Sequence, residues 1–345
     1  MKVLVAGTGS IGKRHIANLE KLGVDVSAYS YRAADNSAEA PPPGLRLFKG
    51  SLQAALQTDF DAVVIANRTD LHMELAIDAA RAKKHVFIEK PLADALKGTA
   101  ELLSLATENK LVVETGFMLR CHPNLLWMQR ALAEKTIGEL MHCRASVGQW
   151  LPDWRPGTDH RTGYGAFRQG GGGVIFDLIH ELDLVCWLIG TVVDVSAMTR
   201  YVHALEIETE AIAQIGLRFD TGVLAQVHLD YIRPGYGRDL EIIGTQGVLS
   251  WRYTEGTVSL TKADGTRDIV HRVPAHFERN QMFEDHMRHF LARIANPALP
   301  AISSLQDGVT ALRVALATHQ SAEERRNIRP DDVAHHFEPK ERCTP

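Results

Sequence analysis

Val3-Leu4-Val5-Ala6-Gly7-Thr8-Gly9-Ser10-Ile11-Gly12 opens the chain and decides how its first part folds. Four apolar residues predict a short buried strand. The glycines follow at once, and His15-Ile16-Ala17-Asn18-Leu19-Glu20-Lys21-Leu22 then shows apolar residues at helical spacing until Gly23 stops it. Alone, Gly-x-Gly-x-x-Gly is a weak signal; between a strand and a helix it predicts a phosphate-binding turn. The first two glycines allow the turn and close backbone approach, the third allows helix packing, and the helix N-terminus favours negative charge. Gly7, Thr8, Gly9, Ser10, Ile11 and Gly12 are therefore expected to hold a dinucleotide pyrophosphate.

Working outward, Val26 to Tyr31 predicts a second strand, and Ala33 to Gly44 a loop rich in Ala, Asn, Ser and Pro. Asp61 to Ala66 is a continuous apolar strand followed by a helix at Leu71 to Ala82. His85 to Glu89, Leu96 to Glu108 and Leu111 to Glu114 continue the alternation as strand, helix and strand. This predicts an α/β fold: a Rossmann-type doubly wound parallel sheet over residues 1–120.

After a helix at Asn124 to Glu134 the pattern changes. Met141–Gly148, Val192–Val202, Glu210–Phe219, Gly222–Leu229, Arg238–Gly244, Gly247–Tyr253 and Thr257–Thr261 read as strands, several joined by short turns. Residues 121–345 are thus expected to form an α+β domain on a large, open, mostly antiparallel sheet, closed by helices at Phe277–Ile294 and Ser304–Arg326.

Composition narrows the function. The 42 acidic and 38 basic residues are scattered and give a net charge of -4, so no nucleic-acid or anionic-membrane footprint is expected and a small-molecule partner is favoured. Val174 to Gly190 is apolar but carries Asp177, His180, Glu181 and Asp183, which argues against a membrane span. The four cysteines, Cys121, Cys143, Cys186 and Cys343, form no CxxC pair; reduced thiols, no metal site and a cytoplasmic location are expected. Only Met1 and Lys2 precede the first strand, so no signal peptide is expected either.

The end of the second strand reads Ser30-Tyr31-Arg32. An acidic residue there would bind the adenosine ribose; a hydroxyl and a guanidinium suit a 2′-phosphate, so NADP is expected over NAD. Glu89-Lys90-Pro91 stands at the tip of a later strand, where such sheets face their ligand, and a lysine there can polarise or protonate a substrate oxygen.

These segments together resemble the glucose-fructose oxidoreductase / inositol dehydrogenase / MocA (Gfo/Idh/MocA) family. The resemblance also rests on Val64-Ile65-Ala66-Asn67-Arg68-Thr69-Asp70-Leu71-His72, on Gly116 to Pro123, and on Gly171-Gly172-Gly173 running through Asp177 and His180 to Asp183. It implies an NAD(P)-dependent oxidoreductase acting on a sugar or cyclitol, and a homodimer or homotetramer built on the open sheet face. By position it implies Lys90 and His180 as catalytic residues and Asp177 as their acidic partner. Many members place that aspartate four residues before the histidine; here Phe176 stands there and Asp177 follows. It also implies that Ala66, Asn67, His72 and Glu89 contact the cofactor and that Arg120 contacts substrate.

Between Trp150 and Arg168 two tryptophans, three arginines and Tyr164 suit sugar recognition, Trp150 and Tyr164 above all, and resemble a branch acting on sialic-acid-like sugars; an anionic sugar is one expectation. Two rival readings remain: a non-catalytic dinucleotide-binding regulator, and a redox-neutral glycosidase or lyase that recycles its cofactor. Lys90 and His180 argue against the first; the sequence does not separate the second from a dehydrogenase.

Overall fold

The structure is a computed structural model that describes residues 1–30, 46–48, 50–155 and 157–333. Two compact units divide the chain: Met1–Cys121 with Glu278–Val309, and His122–Phe277 with the chain from Thr310 onward.

The first unit is built on a parallel sheet of β1 (Lys2–Ala6), β2 (Asp25–Tyr29), β3 (Ala62–Ile65), β4 (His85–Ile88) and β5 (Val113–Thr115), in the order β2-β1-β3-β4-β5. Every residue of β3 is fully buried, as expected where helices cover both faces. Leu47 adds a single parallel bridge to Ala28 of β2, with Ala28 N–H donating to Arg46 O at 2.8 Å and Phe48 N–H to Ala28 O at 2.9 Å. Counting this rudiment as a strand gives the Rossmann order, with the switch of direction beside β1. The helices are α1 (Ser10–Lys21), α2 (Leu52–Leu56), α3 (His72–Arg81) and α4 (Thr99–Glu108).

The sequence reading draws one break near residue 120, but residues 278–309 belong with this unit. Periodicity shows that a helix has an apolar face, not which sheet receives it. Met287 and Phe290 lie in the same core as Val3, Val5, Val64 and Phe87. A buried polar cluster fixes the attachment. Glu114 of β5, fully buried, meets His286 Nε2 at 3.1 Å and accepts from Arg293 Nη1 at 2.7 Å.

The second unit holds α5 (Pro123–Ala133), two helices described below, and eight strands: β6 (Leu140–Gly148), β7 (Val192–Arg200), β8 (Ile212–Phe219), β9 (Leu224–Asp230), β10 (Gly237–Gly244), β11 (Gly247–Arg252), β12 (Thr257–Lys262) and β13 (Arg267–Arg272). Their order is β13-β12-β11-β10-β6-β9-β8-β7, antiparallel at every pair except β6 with β9. Along β8 and β9 buried residues alternate with exposed or half-buried ones, so one face is packed and the other open. The strand β13 is absent from the sequence reading because it is a charged, largely exposed edge, the composition by which edges avoid further pairing. The remaining long helices are α8 (Arg279–Ala295) and α9 (Leu305–Glu324). No helix among the described residues is long and apolar enough to cross a membrane.

Arg293→Met leaves the buried Glu114 carboxyl with one partner fewer. The variant is expected to lose about 3 kcal/mol, seen as an earlier thermal transition; an unchanged melting curve would show that the ion pair does not hold α8 in place.

Candidate cofactor and substrate sites

In the first unit the glycines do what their spacing predicts. Gly7 has φ +119°, and a Cβ there would lie 2.4 Å from Ala66 O; one on Gly12 would lie 1.9 Å from Gly7 O. Neither can be replaced without moving backbone. A Cβ on Gly9 would meet nothing within 4 Å, which leaves room over the turn for a phosphate. Among the described residues α1 starts without a side-chain cap and has no acid in its first turn, so its positive end suits an anion. The turn is tied to β2: Gly7 N–H donates to Tyr29 O at 3.0 Å and Thr8 Oγ1 to Ser30 Oγ at 3.1 Å. Arg32, the other half of the NADP expectation, lies outside the described residues.

Lys90 stands just beyond β4, and its backbone is held from behind. The buried Glu89 carboxyl accepts from Lys90 N–H at 3.2 Å and lies 2.6 Å from His15 Nε2. Burial alone would raise the Glu89 carboxyl, but the hydrogen bond and charge of His15, with the charge of Lys90, hold it below its ordinary value. The Lys90–Pro91 bond is cis.

His72 links two strand tips: Nδ1 lies 2.9 Å from Pro91 O and Nε2 3.2 Å from Asn67 O. Burial lowers its pKa, against the two carbonyls that raise it. Among the residues implied for the cofactor, Asn67 and Lys90 thus stand at tips. Ala66, Glu89 and His72 are buried, and the last two are bonded to His15 and to the carbonyls of Pro91 and Asn67.

Arg120 is buried against the start of α9, donating to Ile302 O and Asp307 Oδ1, both at 3.1 Å. Asp307 closes a capping box: its carboxylate accepts from Ser304 N–H at 2.7 Å while Ser304 Oγ accepts from Asp307 N–H at 3.1 Å. The structure places Arg120 with that cap.

In the second unit the glycine turn leads into α6 (Val174–Asp177), and His180 begins α7 (His180–Ile189). The sequence reading put Asp177 and His180 on one helix. The structure breaks it between them: Leu178 leaves helical geometry at φ -104°, ψ 24°, and the bonds tighten to Ile179 N–H→Phe176 O at 3.4 Å and Glu181 N–H→Leu178 O at 3.2 Å. Period alone cannot reveal such a break in an apolar run.

Asp177 is clamped by two phenols. Tyr164 Oη donates to Oδ1 and Tyr231 Oη to Oδ2, each at 2.7 Å. Burial and the neighbouring Asp177 push the Tyr231 phenol well above its ordinary pKa, so it stays a donor. Sequence reasoning missed Tyr231, which sits one residue past β9 with no motif around it. Trp154 packs its ring edge-on to Tyr231 at 5.2 Å and donates to Gln149 O at 3.2 Å, while Trp150, half-buried, heads the turn Leu151–Trp154.

Two of the three arginines read as sugar grips have bonds within this unit. Arg161 pairs with Asp159 and Glu206, and Arg168 donates to Tyr201 Oη at 2.6 Å and Glu208 O at 3.2 Å. Beside His180, buried Glu181 receives Arg238 through Nε at 2.7 Å and Nη2 at 3.2 Å.

Residues 1–117 match the "Oxidoreductase family, NAD-binding Rossmann fold" model of Gfo/Idh/MocA, and residues 125–250 match the "GFO/IDH/MocA C-terminal domain". The chain belongs to the Gfo/Idh/MocA family. It is an NAD-binding oxidoreductase of the dehydrogenase type. Among its relatives, the inositol 2-dehydrogenase 2 of Paenarthrobacter aurescens is 27% identical over 93% of this chain and 96% of its own length. The 1,5-anhydro-D-fructose reductase of Ensifer adhaerens is 29% identical over 87% and 89%. A probable dehydrogenase from Thermotoga maritima superposes with TM-score 0.77 at 25% identity, covering 97% of this chain and 100% of that one.

Glu210, buried just before β8, is pushed up to about 7, chiefly by burial, against the hydrogen bond it accepts from Ile175. Between its ordinary value, 4.5, and about 7 the folded protein keeps a proton that the unfolded chain has lost. The stabilisation is therefore complete below 4.5 and drains away as pH rises to about 7. Denaturation midpoints at a series of pH values should show wild type losing stability over that window relative to Glu210→Gln; parallel curves would rule out the shift.

Proposed function

We propose that this chain transfers hydride between NADP(H) and a ring carbinol or carbonyl carbon of a cyclitol or neutral sugar. The observation that carries the reading is Lys90 at the tip of β4, in a sheet whose glycine turn fits a pyrophosphate. A dinucleotide sensor needs no such lysine. The nicotinamide, when bound, supplies the hydride acceptor or donor. Lys90 donates a hydrogen bond to the reacting oxygen and steadies the charge it gains on losing its proton. His180 takes that proton as the general base. Asp177, held by Tyr164 and Tyr231, supplies a fixed acceptor. Trp150 offers an apolar face to the sugar ring.

The polyol class is supported by relatives named for inositol and anhydrofructose. A neutral sugar is favoured over an anionic one because Arg161 and Arg168 already have anionic and carbonyl partners. The NADP preference rests on Ser30 and Arg32 at the end of the second strand. We further infer a cytoplasmic homodimer or homotetramer. The described cysteines Cys121, Cys143 and Cys186 form no disulfide among the described residues, and Met141, Leu224 and Met198 are exposed on the sheet of the second unit.

With a panel of cyclitols and sugars, Lys90→Ala should lose at least about 100-fold in kcat while binding cofactor as tightly as wild type. Full activity would remove Lys90 from the chemistry, and substrate turnover without net nicotinamide reduction would favour a recycling enzyme. In cofactor titrations NADPH should bind more tightly than NADH, with Arg32→Ala erasing the difference; tighter binding of NADH to wild type would overturn the preference.

A further inference from the structure

Helix α6, which ends in Asp177, is a single turn, and one turn makes too few hydrogen bonds to hold itself. Its cap residue, Gly173, has no side chain to offer. Both Asp177 and its partner Tyr164 must therefore be placed from outside, and one short segment reaches both.

We propose that Glu208-Thr209-Glu210 is the template that positions the Tyr164–Asp177–Tyr231 clamp, with Glu210 as its main positioning residue. On one side the segment grips the loop of Tyr164: Glu208 N–H donates to Ala166 O and Thr209 Oγ1 to Gly165 O, both at 2.9 Å. On the other it grips the glycine turn. Val174 N–H donates to Glu210 O and Ile175 N–H to Glu210 Oε1, both at 3.2 Å. Glu210 thus does from a neighbouring segment what an N-cap side chain does from within a helix. A third bond, Gly173 N–H to Gly165 O at 3.2 Å, joins loop and turn directly.

The glycine at 173 follows from the same contact. Its φ is +110°, and a Cβ there would lie 2.4 Å from Glu210 Oε1, so any side chain would displace the carboxyl. Thr209 is fully buried and Glu210 nearly so. Arg168 and Asp177 are the charged groups that act on Glu210. A carboxyl kept in such a place, with no salt bridge among the described residues, is costly unless its hydrogen bond matters. Glu210 acts through Asp177 and touches no reacting atom.

The inference rests on the reading of Asp177 as part of the catalytic machinery, and two readouts keep the two apart. The first needs no substrate: NMR of protein carrying 13Cζ-tyrosine, with Tyr164 and Tyr231 assigned by their phenylalanine variants. Asp177→Asn should move both signals, Glu210→Leu should move both likewise, and Glu210→Gln, which keeps the acceptor, should leave them near wild type. If Glu210→Leu leaves both signals in place while Asp177→Asn moves them, the inference is wrong; if Asp177→Asn moves neither, the clamp is absent and the inference falls with it.

The second readout is turnover on the cyclitol and sugar panel. Glu210→Leu should lower kcat roughly 100-fold with little change in KM for NADP, and Glu210→Gln should return most of the lost rate. Wild-type kcat in a folded Glu210→Leu would refute the positioning role. Wild-type kcat in Asp177→Asn would instead remove Asp177 from the mechanism, leaving the NMR result to judge the template.

Discussion

The first unit depends on a contact that tolerates no side chain. Gly7 and Gly12 bring the turn after β1 against the tip of β3 so closely that a Cβ on either would overlap backbone. That closeness points the start of α1 at whatever lies over the turn, and the register of the sheet carries the placement onward. Ala66 N–H donates to Ala6 O and Glu89 N–H to Ile65 O, both at 2.9 Å, so the tips of β1, β3 and β4 are locked in sequence. His72 adds a cross-link between the tips at Asn67 and Pro91. Lys90 is thereby placed relative to the glycine turn by main chain and one buried ring. A flexible side chain gains most from such a base, because only its own torsions remain to be ordered.

Much of this was legible from residue pattern. An apolar run ending in glycine marked β1, a continuous apolar run marked β3, and alternation with short turns marked seven of the eight strands of the second sheet. What escaped was whatever pattern does not encode. The edge strand β13 hides because charge, its protection against pairing, is also the signature of a loop. Helix α8 was visible, but its membership in the first core depends on which sheet its apolar face meets. The rudimentary strand at Leu47 is one residue long, below any periodicity.

The sites divide along the same line. Gly7 was legible from the spacing of its motif, whereas Lys90, Asp177 and His180 were picked out by their place in segments that resemble the family, Asp177 one residue from the usual position. Tyr231 and Glu210 were not, since their roles exist only after the chain has folded: one lies 54 residues from its partner Asp177, the other 35 from Ile175. Arg120 shows the converse. It lies within a recognisable segment, yet its guanidinium reaches the cap of α9, 187 residues along the chain at Asp307. A motif identifies residues that travel together in sequence and leaves open which of them faces a ligand and which braces the one that does.

Buried glutamates stand next to Lys90 in the first unit and to Asp177 and His180 in the second, and their partners decide what each contributes. Glu89 lies against His15 and Lys90, and these hold it below its ordinary value despite burial, so it is a fixed negative charge at the base of the lysine. Glu210 is equally buried but has no direct cationic partner among its described bonds. Arg168 acts on it only through its charge, Asp177 opposes that, and the carboxyl rises to about 7. Glu181 follows a third course, in the first turn of α7, with an ion pair to Arg238 Nε at 2.7 Å and a hydrogen bond from its Nη2 at 3.2 Å. Burial alone would favour the neutral form of all three. What separates them is whether a cation was folded against the carboxyl, at what distance, and through how many hydrogen bonds. One residue type thus provides a standing charge beside Lys90, a proton-holding brace beneath Asp177 and an ion-paired anchor beside His180.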